Sequence, residues 1–180
     1  MKRADGFSLL EMVIALGILL VVAVGVMPLG LLAVTTTENQ GHLLARTTEY
    51  AQDKLEQLQV LAFNDTTSDT RVFPALETGG SGLTPGGSAD TAAPVNDYVD
   101  YLDIDGNVLD STAGPPADWY YQRVWSIDMV ATGNTTCPAA EAPDGCLKRI
   151  TVSTTVKAAA AGGIGLVPRS TVAALKTYPF

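Results

Sequence analysis

Apolar and polar positions divide this chain near Val34. From Phe7 to Val34, about 28 residues, the only ionisable side chain is Glu11. About 20 apolar residues suffice to carry a helix across a bilayer. In lipid the backbone must satisfy its own hydrogen bonds, so the pattern predicts a membrane-spanning helix over 7–34. Gly17, Gly25, Pro28 and Gly30 interrupt the run. A proline removes one intrahelical bond and clashes with the preceding turn, which predicts a helix break at Pro28. Beyond Val34 the pattern turns amphipathic. Leu44, Ala51, Leu55, Leu58 and Ala62 recur at helical spacing, while Glu49, Gln52, Asp53, Glu56 and Gln59 occupy the opposite side. The reading is a second helical half over 35–63. Thr35-Thr36-Thr37 forms a looser joint between the halves, since β-branched residues propagate a helix less well.

Residues 64–94 contain Gly79-Gly80-Ser81-Gly82 and Pro85-Gly86-Gly87-Ser88 and no apolar periodicity, so they read as a long variable loop. A head follows over 95–180. Tyr98–Ile104 is an expected strand, closed by the turn Asp105-Gly106-Asn107, after which Val108 and Leu109 pair back. Trp119–Val130, with Arg123 at its edge or against the helix, Lys148–Val156 and Ser170–Thr177 are further strands by alternation. The fold class is therefore α+β: one long N-terminal helix packed on a C-terminal antiparallel sheet of about four strands.

Charge and chemistry narrow the function classes. There are 11 Lys and Arg against 19 Asp and Glu, a net charge of −8. An acidic domain is poorly suited to general nucleic-acid binding, which needs basic clusters for phosphate. Lys2 and Arg3 ahead of the apolar run predict a cytoplasmic N-terminus with the remainder outside. In that oxidising setting Cys137 and Cys146 are expected to close a short disulfide loop, worth about 2–3 kcal/mol by the loop-entropy account. Asp103, Asp105 and Asn107 form a lesser candidate for calcium, because the glycine is misplaced for a twelve-residue calcium loop and no Glu closes it. A polar hairpin tip accounts for them better. The one histidine, His42, and the paired cysteines leave no nucleophile–base pair, so no enzyme activity and no cofactor are expected.

Glu11 poses the main question of the N-terminal stretch. A carboxylate inside an apolar helix costs on the order of 2–3 kcal/mol or more on insertion scales and needs a partner. The run is about twice as long as the apolar core of a secretory signal, and Gly6 stands in front of it. Lys2-Arg3-Ala4-Asp5-Gly6 followed by Phe7-Ser8-Leu9-Leu10-Glu11 resembles the start of type IV prepilins and of type II secretion pseudopilins. The resemblance implies a cleaved leader over 1–6, cut between Gly6 and Phe7, and methylation of the new amine on Phe7. It implies that Glu11 docks against the Phe7 amine of a neighbouring subunit, and that Pro28 marks the segment that unwinds on assembly. Loss of the leader leaves 9 basic and 18 acidic side chains, a sum of −9.

The implied partners are other pilin subunits through the helix, a prepilin peptidase, an inner-membrane assembly platform and membrane lipid before assembly. The implied location is the bacterial inner membrane, then an extracellular or periplasm-facing filament. Shorter segments are similar to PilV-type minor pilins: Gly82-Leu83-Thr84, Tyr98-Val99-Asp100-Tyr101, Asp105-Gly106-Asn107, Arg123-Val124-Trp125, Lys148–Val152 and Arg169-Ser170. The expected function is a minor pilin of a type IV pilus, acting in assembly priming, adhesion or motility. A type II secretion pseudopilin and a bitopic membrane protein outside any filament are the alternatives.

Overall fold

A computed structural model of the chain describes residues 8–72, 74–111, 114–132, 137, 146–158 and 167–178. One helix, α1, spans Leu9–Val60. By contact the chain divides into two compact units, Met1–Gly41 and His42–Phe180.

In the first unit the large apolar side chains that are described on α1 are exposed, from Leu9 at 83 % to Val34 at 63 %. By length and composition this helix can cross a membrane. The break expected at Pro28 does not occur: the helix runs through it. A missing N–H costs only the bond to the carbonyl four residues back, and the neighbouring turns carry the helix past the gap. The threonine joint is also helical. Thr35 donates its hydroxyl to the Leu31 carbonyl and Thr37 to that of Ala33, at 3.1 and 2.8 Å. These i−4 bonds take up the hydroxyls inside the helix.

The second unit is a helix on a sheet. Strands β1 (Gly86–Gly87), β2 (Val99–Leu102), β3 (Val108–Leu109), β4 (Tyr121–Ala131), β5 (Cys146–Val156) and β6 (Arg169–Thr177) form one antiparallel sheet. Its order is β3-β2-β4-β5-β6, with β1 pairing β4 off that path. Three strands have nine or more residues, β2 has four, and two contain only two residues each. The first of these short strands, Gly86–Gly87, falls inside the segment read as loop. Glycine is required at Gly87, where φ is +80° and a Cβ would meet the Trp125 carbonyl and the Tyr98 ring. The absence of a side chain, which hid the strand from periodicity, is what allows the backbones to approach.

The helix packs by a stripe different from the one its apolar residues suggest. Leu43, Thr47, Tyr50, Ala51, Lys54 and Leu58 are buried, whereas Leu44 and Ala62 are exposed. The stripe is rotated because the inner face of the sheet offers polar partners as well as apolar ones. The Thr47 hydroxyl meets that of Ser170 at 2.9 Å. Around this stripe Ala51 and Leu58 join Trp125, Ile127, Ile150 and Val152 in the main core. Leu43 and Tyr50 join Leu102, Tyr121 and Val156 in a second cluster. The Tyr50 and Tyr121 rings meet edge-on, 4.8 Å between centroids.

The end of α1 carries no basic residue of its own. The sheet supplies two. Lys176 donates its ammonium to the Gln59 carbonyl, and Lys148 donates to the carbonyls of Phe63 and Leu83. These lysines lie directly opposite each other across β5 and β6. Like charges so placed repel, and here both are turned onto the negative end of the helix and its following turn. Burial pushes both lysines below their ordinary pKa, and for Lys148 the neighbouring charge of Lys176 adds to the effect.

Candidate functional site

Two places on the chain carry function-bearing chemistry. The first is the start of α1. Ser8 immediately precedes the helix and its carbonyl accepts the Met12 amide at 3.1 Å. Glu11 is the acidic residue of the first turn, where the positive end of the helix dipole favours an acid. Ser8 and Glu11 also have the Ser-x-x-Glu spacing of a capping box, a signal in the sequence that the docking interpretation of Glu11 passes over. Glu11 is exposed, as are the apolar side chains that follow it. Gly6 and Phe7, where cleavage and methylation are expected, lie outside the described residues.

The second place is a charge cluster beneath the helix. Lys54 lies in the middle of the buried stripe with no exposed surface, and Asp100 on β2 is equally enclosed. The Lys54 ammonium donates to Asp100 Oδ2 at 2.9 Å and also to the Thr70 carbonyl. It sits 4.1 Å from the centroid of the Trp125 ring, a cation–π contact. Arg123 on β4 completes the cluster. Its Nε and Nη2 donate to the two Asp100 oxygens at 2.7 and 2.8 Å, and its Nη1 donates to Asp53 on the helix at 3.0 Å. Helix, β2 and β4 are thus joined by three charges closed to water, Lys54, Asp100 and Arg123, with Asp53 exposed at the rim.

The electrostatics follow from that enclosure. Burial drives Lys54 down to about 8, against the opposing pull of Asp100. Burial alone would raise Asp100, but the charges of Arg123 and Lys54, and their hydrogen bonds, hold its carboxyl below the usual range. Two cations on one carboxylate leave a surplus positive charge, which Asp53 meets from the rim. Sequence reading missed this cluster. Lys54 interrupts no pattern, and Asp100 lies close in sequence to the hairpin-tip acids Asp103 and Asp105. Strand alternation was the available signal: Asp100 falls between Val99 and Tyr101, on the opposite face.

The remaining expected site residues have local roles. Asp103 Oδ1 accepts the amides of Asp105 and Asn107, each at 2.9 Å, and its Oδ2 accepts the Asn107 side-chain amide. Those bonds commit its oxygens to the turn and hold its carboxyl below the usual range. Among the described residues no group of three or more acidic, His or Cys side chains is placed to hold a metal. Cys146 opens β5, is buried, and is bonded to Cys137. His42 is exposed.

Residues 1–27 match the family model described as the prokaryotic N-terminal methylation motif. No curated protein and no solved structure matches the chain. The motif supports a type IV prepilin-like or pseudopilin protein, a class of structural subunits processed by a prepilin peptidase and assembled with other pilins. The motif and the apolar helix fit anchoring in the inner membrane.

Proposed function

We propose that this chain is a minor pilin of a type IV filament, most similar to the PilV type. The observation that carries the reading is the motif ending in Gly6, Phe7 and Glu11, set at the head of an exposed apolar helix and matched over residues 1–27. The work of such a subunit is physical. Residues 7–34 hold it in the inner membrane with its head outside. Cleavage after Gly6 leaves a positive amine on Phe7, about one helical turn from Glu11. In the filament each helix exchanges lipid for neighbouring helices, and the Glu11 carboxylate of one subunit meets the Phe7 amine of another. A buried charge is tolerated when so paired and rejected when alone, so the contact fixes the axial step.

The charge cluster fits this work. It holds the upper part of the helix on the sheet while the lower helix changes neighbours. The Cys137–Cys146 bond suits a head exposed to an oxidising compartment. Mass spectrometry of the mature chain tests the proposal. A chain beginning at methylated Phe7 is expected. A chain retaining Met1–Gly6 in cells with an active prepilin peptidase would overturn it.

A further inference from the structure

We propose that a cavity between α1 and the β2–β3 turn binds a neutral saccharide. The cavity has a volume of about 570 Å³ and lies wholly within residues 53–123. That volume is in the range of small-molecule sites. Asp53 and Gln57 line it from the helix, Asn107 and Leu109 from the turn and β3, and Val72 from the segment after the helix. Arg123 of β4 is the enclosed member, with its side chain 1 % exposed.

Each polar side chain of the lining is fixed through one atom and keeps another for a ligand. Arg123 gives three of its five N–H groups to Asp100 and Asp53, and among the described residues one on Nη1 and one on Nη2 remain. Asp53 accepts both Arg123 and the Gln57 amide on Oδ2, at 3.0 Å each, and keeps Oδ1. Gln57 donates through Nε2 and keeps Oε1 as an acceptor. Asn107 donates its Nδ2 to Asp103 at 2.9 Å and keeps Oδ1. Polar groups held in place before a ligand arrives spare it the cost of ordering them.

The lining selects the class of ligand. An anion would meet the Asp53 and Asp110 carboxylates, and the charge of Arg123 is already offset by Asp100 and Asp53. A metal ion lacks a shell, since among the described residues no three acidic, His or Cys side chains are grouped to hold one. The occupant is therefore neutral. The oxygens of Asp53, Gln57 and Asn107 call for several donors, and the Arg123 N–H groups call for an acceptor. A hydroxyl is both at once. Adjacent ring hydroxyls also match planar carboxylate, amide and guanidinium groups two atoms at a time, while Val72 and Leu109 receive the C–H face. A peptide amide brings one donor per residue and leaves some of these oxygens unmatched. The site belongs to the head and holds whether or not the chain enters a filament.

The test uses the full chain in a detergent without a sugar headgroup. Glucose, galactose, mannose and N-acetylglucosamine are titrated one at a time and followed by saturation-transfer NMR. Each is offered free and as its methyl glycoside, which separates a free sugar from the end residue of a glycan. At least one is expected to bind with a Kd on the order of 1 mM, as suits so small a ligand. Gln57→Leu removes an acceptor at nearly constant size, and Val72→Trp fills the cavity. Each should weaken binding at least about tenfold, with helical circular dichroism and the Cys137–Cys146 bond unchanged. Gln59→Leu, outside the cavity, should bind like the parent. No binding by any of the four up to about 50 mM, binding that survives both cavity variants, or equal loss in Gln59→Leu each overturns the proposal. So does binding of arginine amide in their place that high salt abolishes, since that marks a site for cationic side chains.

Discussion

Lys54 and Asp100 form a salt bridge of 2.9 Å between a helix and a strand 46 residues apart, both side chains closed to solvent. Such a pair gains little over well-packed apolar residues, but breaking it is costly because a charge is left behind. Here the carboxylate is the member that both cations share. Asp100→Asn should leave Lys54 and Arg123 facing each other with only the rim carboxylate of Asp53 to offset them, at a cost of about 3–5 kcal/mol. Adding Lys54→Met to Asp100→Asn should recover part of that loss. Denaturant unfolding of the full chain in detergent measures both. An Asp100→Asn variant as stable as the parent would show that the cluster does not hold the helix.

Lys54 also gives the head a pH signature. Its folded pKa, about 8, is below the ordinary value of 10.5. Between those values the unfolded chain binds the extra proton, so stability rises as pH climbs through that window. Lys148 and Lys176 contribute with the same sign, since both are also lowered. The difference between the parent and Lys54→Met isolates Lys54, and it should shift in the parent's favour from pH 8 to 10.5. A difference that stays flat, or moves the other way, refutes the assignment. On the acid side Asp100 acts oppositely. Its lowered pKa contributes stability above the ordinary carboxylate range, and that contribution is lost as pH falls through the folded value.

The legible parts of this fold were those in which one periodicity acts alone. The apolar run at the start of α1, the alternation of Lys148–Val156 and the turn at Asp105-Gly106-Asn107 each announce themselves, and the helix-on-sheet class follows. The packed face of the helix was less legible. Apolar counting selects Leu44 and Ala62, yet the sheet takes Thr47 and Lys54 because Ser170 and Asp100 await them. Such partners are distant in sequence, so no local window pairs them. Gly86-Gly87 was hidden for a related reason: its strand is defined by what fits against Trp125 and Tyr98, not by side chains of its own.

The lysine pair at the end of α1 is testable in the same way. Lys148→Met removes the donor from the carbonyls of Phe63 and Leu83 and leaves both in a buried setting. Unsatisfied buried groups cost about 1–3 kcal/mol each, so a loss in that range is expected despite the apolar gain. Hydrogen exchange should show the effect concentrated in the last turns of α1 and the following loop, with the Lys54 cluster little changed. A loss spread evenly over the sheet would argue against a local clamp.

Gly106 should tolerate no side chain. Its φ is +93°, and a Cβ would lie 2.5 Å from the Tyr50 hydroxyl and 2.8 Å from its ring. Gly106→Ala therefore strains the turn and displaces Tyr50 from Tyr121, with an expected cost of about 1–3 kcal/mol. Tyr121 has been pushed up to about 12, by burial first and by Tyr50 next. Loosening that contact should move its spectroscopic titration back toward the ordinary value of a tyrosine. An unchanged titration together with unchanged stability would show that the turn does not bear on the ring pair.

Glu11 can be separated into its two roles by a change that keeps shape and removes charge. At the third position of a helix after Ser8, glutamine serves a capping box as glutamate does. As a partner for the amine expected on a neighbour's Phe7, glutamine lacks the charge. Glu11→Gln should therefore insert in the membrane and be processed like the parent while entering filaments poorly, and Glu11→Ala should do the same with a more frayed first turn. Fractionation of sheared filaments, with the N-terminal mass of the cell-bound pool, reads both steps. If Glu11→Gln incorporates as the parent does and only Glu11→Ala fails, the residue caps its own helix and the register of assembly is set elsewhere.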